Sequence, residues 1–182
     1  MVDTLNPHPL ADSPLWADRP SFLASHRALS VCTRELEQLA TNVVRGVAAL
    51  SLAGVDEKSK ERLSPGRCIV QLGPVALTIT WLGRTIDSVA DGDLLAIVWR
   101  GAVAPRGEHL PERMTTRQSP LAVTALWEEV FVAAGADQAS WAWQSKGARS
   151  TTSYSSVELA AQCVERLRMA YEECRAAGDA VA

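Results

Sequence analysis

The chain has 182 residues, of which 47% are apolar and 21% are charged, and its formal net charge is −3. This composition is typical of a soluble globular protein. A chain of this length can bury a core without disulfides or a structural metal, so one compact domain is expected.

The charge is spread evenly along the chain. Lys and Arg number 7, 6 and 5 in residues 1–66, 67–118 and 119–182, against 8, 5 and 8 Asp and Glu. Nucleic-acid binding takes most of its affinity from phosphate neutralisation, so a nucleic-acid partner is not expected. The longest apolar stretches, such as Val43–Val55 with Arg45 inside it, are shorter than the roughly 20 residues that span a bilayer, so no membrane span is expected either.

The four cysteines, Cys32, Cys68, Cys163 and Cys174, form no C-x-x-C pair. The start of the chain lacks the basic, apolar and small-residue order of a signal peptide. Both observations favour a reducing cytoplasm.

Residues 1–20 hold four of the nine prolines, and proline fixes φ and removes a backbone donor. This stretch is therefore predicted to be an extended, proline-rich arm, in which Leu5, Leu10, Leu15 and Trp16 are the apolar side chains. It is either a frayed terminus or an arm that packs on its own domain or on a partner. Residues 21–178 are predicted to form a single α+β domain, with a tail over 179–182.

A long amphipathic helix is predicted to begin near Asp18 or Ser21 and to end at Gly54. Its apolar seam recurs every seven residues, at Phe22, Leu29, Leu36, Val43 and Leu50. Such a helix would be about 48 Å long, whereas a strand of eight residues spans about 26 Å. The helix therefore either breaks near Gly46 or presents its seam to another helix or another subunit.

After a charged connector over residues 56–62, the apolar period changes from 3.6 to 2. Residues 68–72 and 75–81 alternate around Gly73-Pro74, which predicts a hairpin. A turn at Asp91-Gly92-Asp93 introduces a third strand over residues 94–103. A long loop follows over residues 104–119.

A second helix is predicted from Ser119-Pro120 to Gly135, although its β-branched residues also permit a strand. A second hairpin is expected over residues 140–154, turning at Lys146-Gly147. Ser155 and Glu158 form a capping box for a last helix, which Gly178 ends.

The predicted order is therefore α-β-β-β-α-β-β-α. Because the connections are short, the strands are expected to pair antiparallel in one twisted sheet of about five strands, with the helices on one face.

The aromatic composition is unusual, with six tryptophans against two phenylalanines and two tyrosines. The tryptophans on predicted strands either build a core or line an exposed face that receives an apolar segment. The second interpretation, together with the helix seam and the arm, predicts a partner-binding surface formed by Trp16, Phe22, Leu29, Leu36, Val43, Leu50, Trp81, Trp99, Trp141 and Trp143.

The loop over residues 104–119 suggests an alternative, a small enzyme. His109 could act with Glu108 or Glu112 as an acid and base pair. Arg106 or Arg113 could hold an anion. A solvated loop of mixed charge has the same composition.

No metal site is expected, because the three histidines are scattered and no cysteine knuckle accompanies them. No cofactor is expected, because the common hydrolase, nucleotide and dinucleotide signatures are missing from the sequence.

The predicted element order resembles that of the small α+β chaperones of type III secretion and the related YbjN-like domains, over Phe22 to Gly178. This resemblance implies a cytoplasmic homodimer that binds an extended segment of another protein and has no catalytic residues. The resulting hypothesis is a non-catalytic protein-binding or assembly module that acts as a homo-oligomer or as a subunit of a complex.

Overall fold

The computed structural model describes residues 22–52, 59–83, 88–101, 103, 123–147 and 152–179. Within these ranges the chain forms a helix, seven strands and a second helix. A short 3-10 turn, Phe22–Ala24, leads into helix α1, His26–Leu52, and the last element is helix α2, Ser156–Asp179. The strands are β1 Lys60–Ser64, β2 Arg67–Leu72, β3 Val75–Leu82, β4 Asp93–Arg100, β5 Thr124–Ala134, β6 Ala142–Ser145 and β7 Ser153–Tyr154.

The seven strands form one antiparallel sheet in which spatial order equals chain order. Each strand pairs with the next one along the chain, as expected for strands joined without a parallel crossover. The register aligns Val70, Leu77, Val98 and Trp127 in one row across four strands. A register shift between Val98 and Trp99 marks a bulge against β5.

Both helices pack on the same face of this sheet. The buried core takes alternate residues of the central strands, such as Leu77 and Ile79 of β3 and Leu94, Ala96 and Val98 of β4. Helix α2 lies against the central strands, while α1 packs mainly against α2 and also touches β2. The expected α+β architecture with an antiparallel sheet is therefore confirmed.

The predicted helix over residues 119–135 is wrong, because the described part of that range forms β5. Apolar residues at 123, 126, 127, 130 and 131 fit a helical period, but they also fit a central strand that is apolar on both faces. Pairing with β4 on one side and β6 on the other selects the strand. The helix-start signal Ser119-Pro120 lies outside the described residues.

The predicted number of strands, about five, is also too low. Besides β5, the end of the expected charged connector forms β1, all five residues of which are exposed. An edge strand rich in charge lacks the alternation that identifies a half-buried strand, and such charges protect a sheet edge from pairing with other chains.

Two predictions that rest on neighbouring residues, the first hairpin and the capping box of the last helix, are confirmed. The hairpin turns at Gly73-Pro74, with Leu72 opposite Val75. In the capping box, the Ser155 amide donates to Glu158 Oε2 at 2.8 Å, and the Glu158 amide donates to Ser155 Oγ at 3.2 Å.

Helix α1 is unbroken over 27 residues, which makes it about 40 Å long. It begins later than expected, because Ser25 rather than Asp18 or Ser21 caps it: Ser25 Oγ accepts from the Ala28 amide at 3.3 Å. Strand β2, which α1 touches, has six residues, and its neighbour β3 has eight, so these strands span about 20 and 27 Å. The helix is therefore longer than the strands beside it, and it shares its apolar seam with another helix, α2.

Gly46 marks close packing rather than a bend. A Cβ atom at Gly46 would lie 2.9 Å from Val164 Cγ2 of α2, closer than carbon atoms pack without strain. The two helices therefore approach each other at a position where any side chain larger than that of glycine would displace the Val164 side chain.

We expect Gly46→Ile to lower the free energy of unfolding by about 1–2 kcal/mol. Overpacking against Val164 costs about 1–3 kcal/mol, and the gain in helix propensity offsets roughly 0.5 kcal/mol of it. Urea denaturation measures the change. Ala49→Ile, at an exposed position of the same helix, is the matched control and should change the stability by less than about 0.5 kcal/mol. Equal effects of the two substitutions would contradict the close helix contact.

Candidate functional site

A groove of about 610 Å³ lies between α1 and the β1–β3 end of the sheet. Leu29, Cys32, Leu36 and Ala40 form the α1 wall, at intervals of three or four residues that place them on one helix face. Residues of the β1–β2 hairpin and of β3 form the opposite wall, among them Leu63, Cys68, Ile79 and Trp81. Both walls are therefore largely apolar.

The β1–β2 turn shapes the sheet side of the groove. Gly66 adopts a φ of 68°, a left-handed conformation that suits glycine. Its carbonyl accepts a hydrogen bond from the Trp81 amide at 2.7 Å, which ties the turn to β3. Leu63 of the same hairpin lines the groove and leaves 53% of its surface exposed, so part of this aliphatic side chain is open to solvent.

Trp81 is held in place by two neighbours. Its ring lies so close to Gly92 that a Cβ there would collide with the indole. On another side it packs edge-on against Trp143, with ring centroids 5.9 Å apart. Further edge-on contacts join Trp143 to Trp141, at 5.6 Å, and Trp141 to Phe22, at 6.5 Å. This aromatic row, Trp81–Trp143–Trp141–Phe22, connects the groove to the start of the described chain.

Polar groups line the rims of the groove. Thr33, Glu37 and Thr41 follow one another at intervals of four residues along α1, about 6 Å apart by helical rise. Arg67 and Ser64 stand on the hairpin side. The groove thus has an apolar floor and hydrogen-bonding groups along both edges, the usual composition of a binding site.

A polar network fixes the position of α1 next to the groove. The Trp143 Nε1–H donates to Ser156 Oγ at 2.9 Å, and the Ser156 hydroxyl donates to Glu35 Oε2 at 2.9 Å. Arg34 pairs with the second oxygen of the Glu35 carboxylate at 2.8 Å. Since Ser156 is the first residue of α2, this carboxylate also lies at the positive end of that helix.

The thiols of the groove are poor nucleophiles. Burial, with a smaller contribution from the Glu35 carboxylate, raises the pKa of Cys32 to about 12. Burial and then Glu61 raise the pKa of Cys68 to about 12 as well. Because the thiolate is the reactive form, both side chains behave as small apolar groups at neutral pH.

The structure separates the residues of the predicted partner-binding surface. Leu29, Leu36 and Trp81 come together in the groove. Val43 and Trp143 are completely buried and present no surface to a partner. Phe22, Leu50 and Trp141 are partly buried and pack against the core. Trp99 is also partly buried, but its register places it on the opposite face of the sheet, where its Nε1–H donates to Thr78 Oγ1 at 3.0 Å.

Several predictions fall on residues that the structure does not describe. These are Trp16 and the arm over residues 1–20, and the acid and base candidates His109, Glu108 and Glu112. Among the described residues, no group of three or more His, Cys, Asp or Glu side chains is placed to hold a metal ion. Neither described helix is long and apolar enough to cross a membrane.

Sequence reasoning identified Trp81 but missed the other apolar residues on the sheet side of the groove. Leu63, Cys68 and Ile79 carry no motif, and Leu63 lay in a stretch that was not predicted as a strand. The only local signal was Ser64-Pro65-Gly66, which marks a tight turn before an alternating strand.

Comparison of the chain with protein-family models, with curated protein sequences and with solved structures gives no match. The element order that resembled the type III secretion chaperones included a helix where β5 lies, so the groove is interpreted from its own residues.

We expect Cys32 and Cys68 to react with iodoacetamide far more slowly in the native protein than in the unfolded chain. A rise in pKa from 9.0 to about 12 reduces the thiolate fraction at pH 8 about a thousandfold. Their rates should keep rising above pH 10, where an ordinary thiol is already ionised. Mass spectrometry of the alkylated peptides measures both. The urea-unfolded chain is the control, and equal rates in the two states would contradict the buried, neutral thiols.

Proposed function

We propose that this chain is a non-catalytic protein-binding module that acts as a homo-oligomer or as a subunit of a complex. The groove between α1 and the β1–β3 end of the sheet receives an apolar polypeptide segment of the partner. The observation that carries this proposal is the apolar floor with Leu63 half exposed in it.

The size and composition of the groove support a binding role. A volume of about 610 Å³ falls within the range of roughly 300–1,000 Å³ in which proteins enclose ligands. Aromatic and aliphatic side chains at the centre of such a site supply the affinity, and a polar rim excludes water around them. Trp81, Leu36 and Leu63 are the central groups here.

The rim favours a polypeptide over a compact small molecule. Thr33, Glu37 and Thr41 form a line parallel to the groove rather than a cluster at one point. Groups spaced about 6 Å apart match every second residue of an extended chain, which repeats at about 6.6 Å. Such a row can bond to peptide groups while the side chains between them enter the apolar floor.

The chemistry of the described groove gives little support to a catalytic role. Its two cysteines are held neutral, and no histidine is among its described lining residues. Glu37 and Arg67 are exposed at the rims, where water screens their charge. The enzyme alternative concerns His109 and its neighbours, which lie outside the described residues and remain a prediction.

A cytoplasmic location is part of the same proposal. All four cysteines are unpaired, and Cys32, Cys68 and Cys163 are buried in the core. Free thiols in a folded domain are the usual condition of proteins in a reducing compartment.

Filling the groove should weaken peptide binding. Peptides of twelve residues are first selected from a random displayed library on the full chain, and their affinity is measured by fluorescence anisotropy. Ala40→Trp places an indole in the groove and should weaken these peptides at least tenfold. Ala49→Trp, on the opposite face of α1 and exposed, is the matched control and should leave the affinity unchanged.

A second groove variant, Leu36→Arg, keeps the test valid if Ala40→Trp does not fold. Melting curves of the Ala40→Trp, Leu36→Arg and Ala49→Trp proteins are compared with that of the wild type. Peptides that bind the Ala40→Trp and Leu36→Arg proteins as tightly as the wild type would contradict the groove as the docking site. Groove-dependent binding of an apolar dye, with no peptide enriched by the selection, would instead indicate a small-molecule site and overturn the proposal.

Self-association is tested separately from peptide binding. Light scattering coupled to size-exclusion chromatography of the full chain at about 10 μM should give at least twice the mass of one chain if the module is a homo-oligomer. If the protein is a strict monomer that still binds the selected peptides, the homo-oligomer is contradicted. The proposal that the chain is a subunit of a complex then stands.

A further inference from the structure

We propose that residues 10–16 of the same chain occupy the groove and act as an intramolecular ligand that a partner segment must displace. This inference rests on the proposed function of the groove and names the occupant that regulates it. The segment Leu10–Trp16 carries three large apolar side chains, at 10, 15 and 16, and a single charge, at Asp12.

The position at which the arm joins the described chain supports this occupant. The Leu23 carbonyl accepts from the Val89 amide at 3.0 Å, and Val89 lines the groove. The first turns of α1 contribute Leu29 and Cys32 to the same groove. Residues 1–21 are thus attached at one end of the groove, and a chain that turns back there runs antiparallel to α1.

The lengths also match. The groove follows α1 from Leu29 to Thr41, which is about 18 Å by helical rise. Residues 10 and 16 of an extended chain are about 20 Å apart. Between Trp16 and Phe22 lie five residues, enough for the turn that such a path requires.

The chemistry of the arm suits the site. Pro14 lies between the two ends of the segment and restricts the backbone, which lowers the entropy lost on docking. Asp12 falls between the apolar ends, and the hairpin rim offers Arg67. In addition, the buried Trp141 Nε1–H has no acceptor among the described residues, and the aromatic row joins Trp141 to both Phe22 and Trp81. A backbone carbonyl of an extended segment in the groove could accept a hydrogen bond from this indole N–H.

A tether makes even a weak segment an effective competitor. A segment joined by a short linker meets its site at an effective concentration in the millimolar range. A segment whose own dissociation constant lies below this concentration makes the free groove a minor state, and the apparent dissociation constant of a partner rises by the inverse of the free fraction.

The test uses full-length protein and a fluorescein-labelled peptide of residues 8–18. The variant Leu10→Ser/Trp16→Ser keeps the arm but replaces the apolar side chains at the two ends of the segment. We expect the peptide to bind this variant at least tenfold more tightly than the wild type. Trp16→Ser alone should give a smaller gain, and Leu5→Ser, outside the segment, is the matched control and should behave as wild type. Adding Ala40→Trp to the double variant should remove the binding.

Three outcomes would overturn the inference, and they separate it from the function of the groove. If the peptide binds the wild type and the double variant equally, the groove accepts the segment but is not occupied by it. If it binds neither while the library-selected peptides still bind, the groove functions and its occupant is another chain. If light scattering shows a dimer that the double substitution converts to a monomer, the arm is exchanged between two copies. If neither this peptide nor any library-selected peptide binds the wild type or the double variant, the proposed function of the groove is contradicted as well.

Discussion

Helix α2 covers the middle of the sheet, and this packing decides where α1 can lie on the same face. Its residues Leu159, Cys163 and Leu167 are buried against the central strands, so no room remains there for a second helix. Helix α1 therefore packs beside α2, with Gly46 permitting close approach to Val164. Only part of the α1 seam faces α2. The remainder lies over the β1–β3 end of the sheet, and the groove is the space that this arrangement leaves open.

The polar network at the start of α2 holds α1 in this position. The hydroxyl of Ser156 links the indole of Trp143, in the sheet, to the carboxylate of Glu35, on α1. Buried hydrogen bonds of this kind contribute modest net stability, but leaving one partner unsatisfied is costly. They therefore favour one register of the helix over its neighbours, and with it one spacing of the groove wall.

The parts of the structure that depend on neighbouring residues could be predicted from the sequence. The capping box needs only Ser155 and Glu158, and the first hairpin needs only the turn at Gly73-Pro74 between two alternating segments. The strand β5 could not be assigned in the same way, because its apolar residues satisfy the periods of a helix and of a two-faced strand. Leu29 and Leu36 were recognised as exposed apolar candidates, yet the residues that complete their groove lie on strands 27 or more positions away in the chain.

By itself, the sequence determined the α+β class of the fold, the presence of a long amphipathic first helix, the hairpin at Gly73-Pro74, the last helix and a proline-rich start with apolar side chains. These features follow from composition, periodicity and local hydrogen bonding, which act over a few residues. Only the tertiary structure decided that residues 124–134 form a strand, that Val43 and Trp143 are core residues, and that Leu36, Leu63 and Trp81 share a groove. Those outcomes depend on strand pairing and on competition between two helices for one sheet face, and such long-range contacts leave no local pattern in the chain.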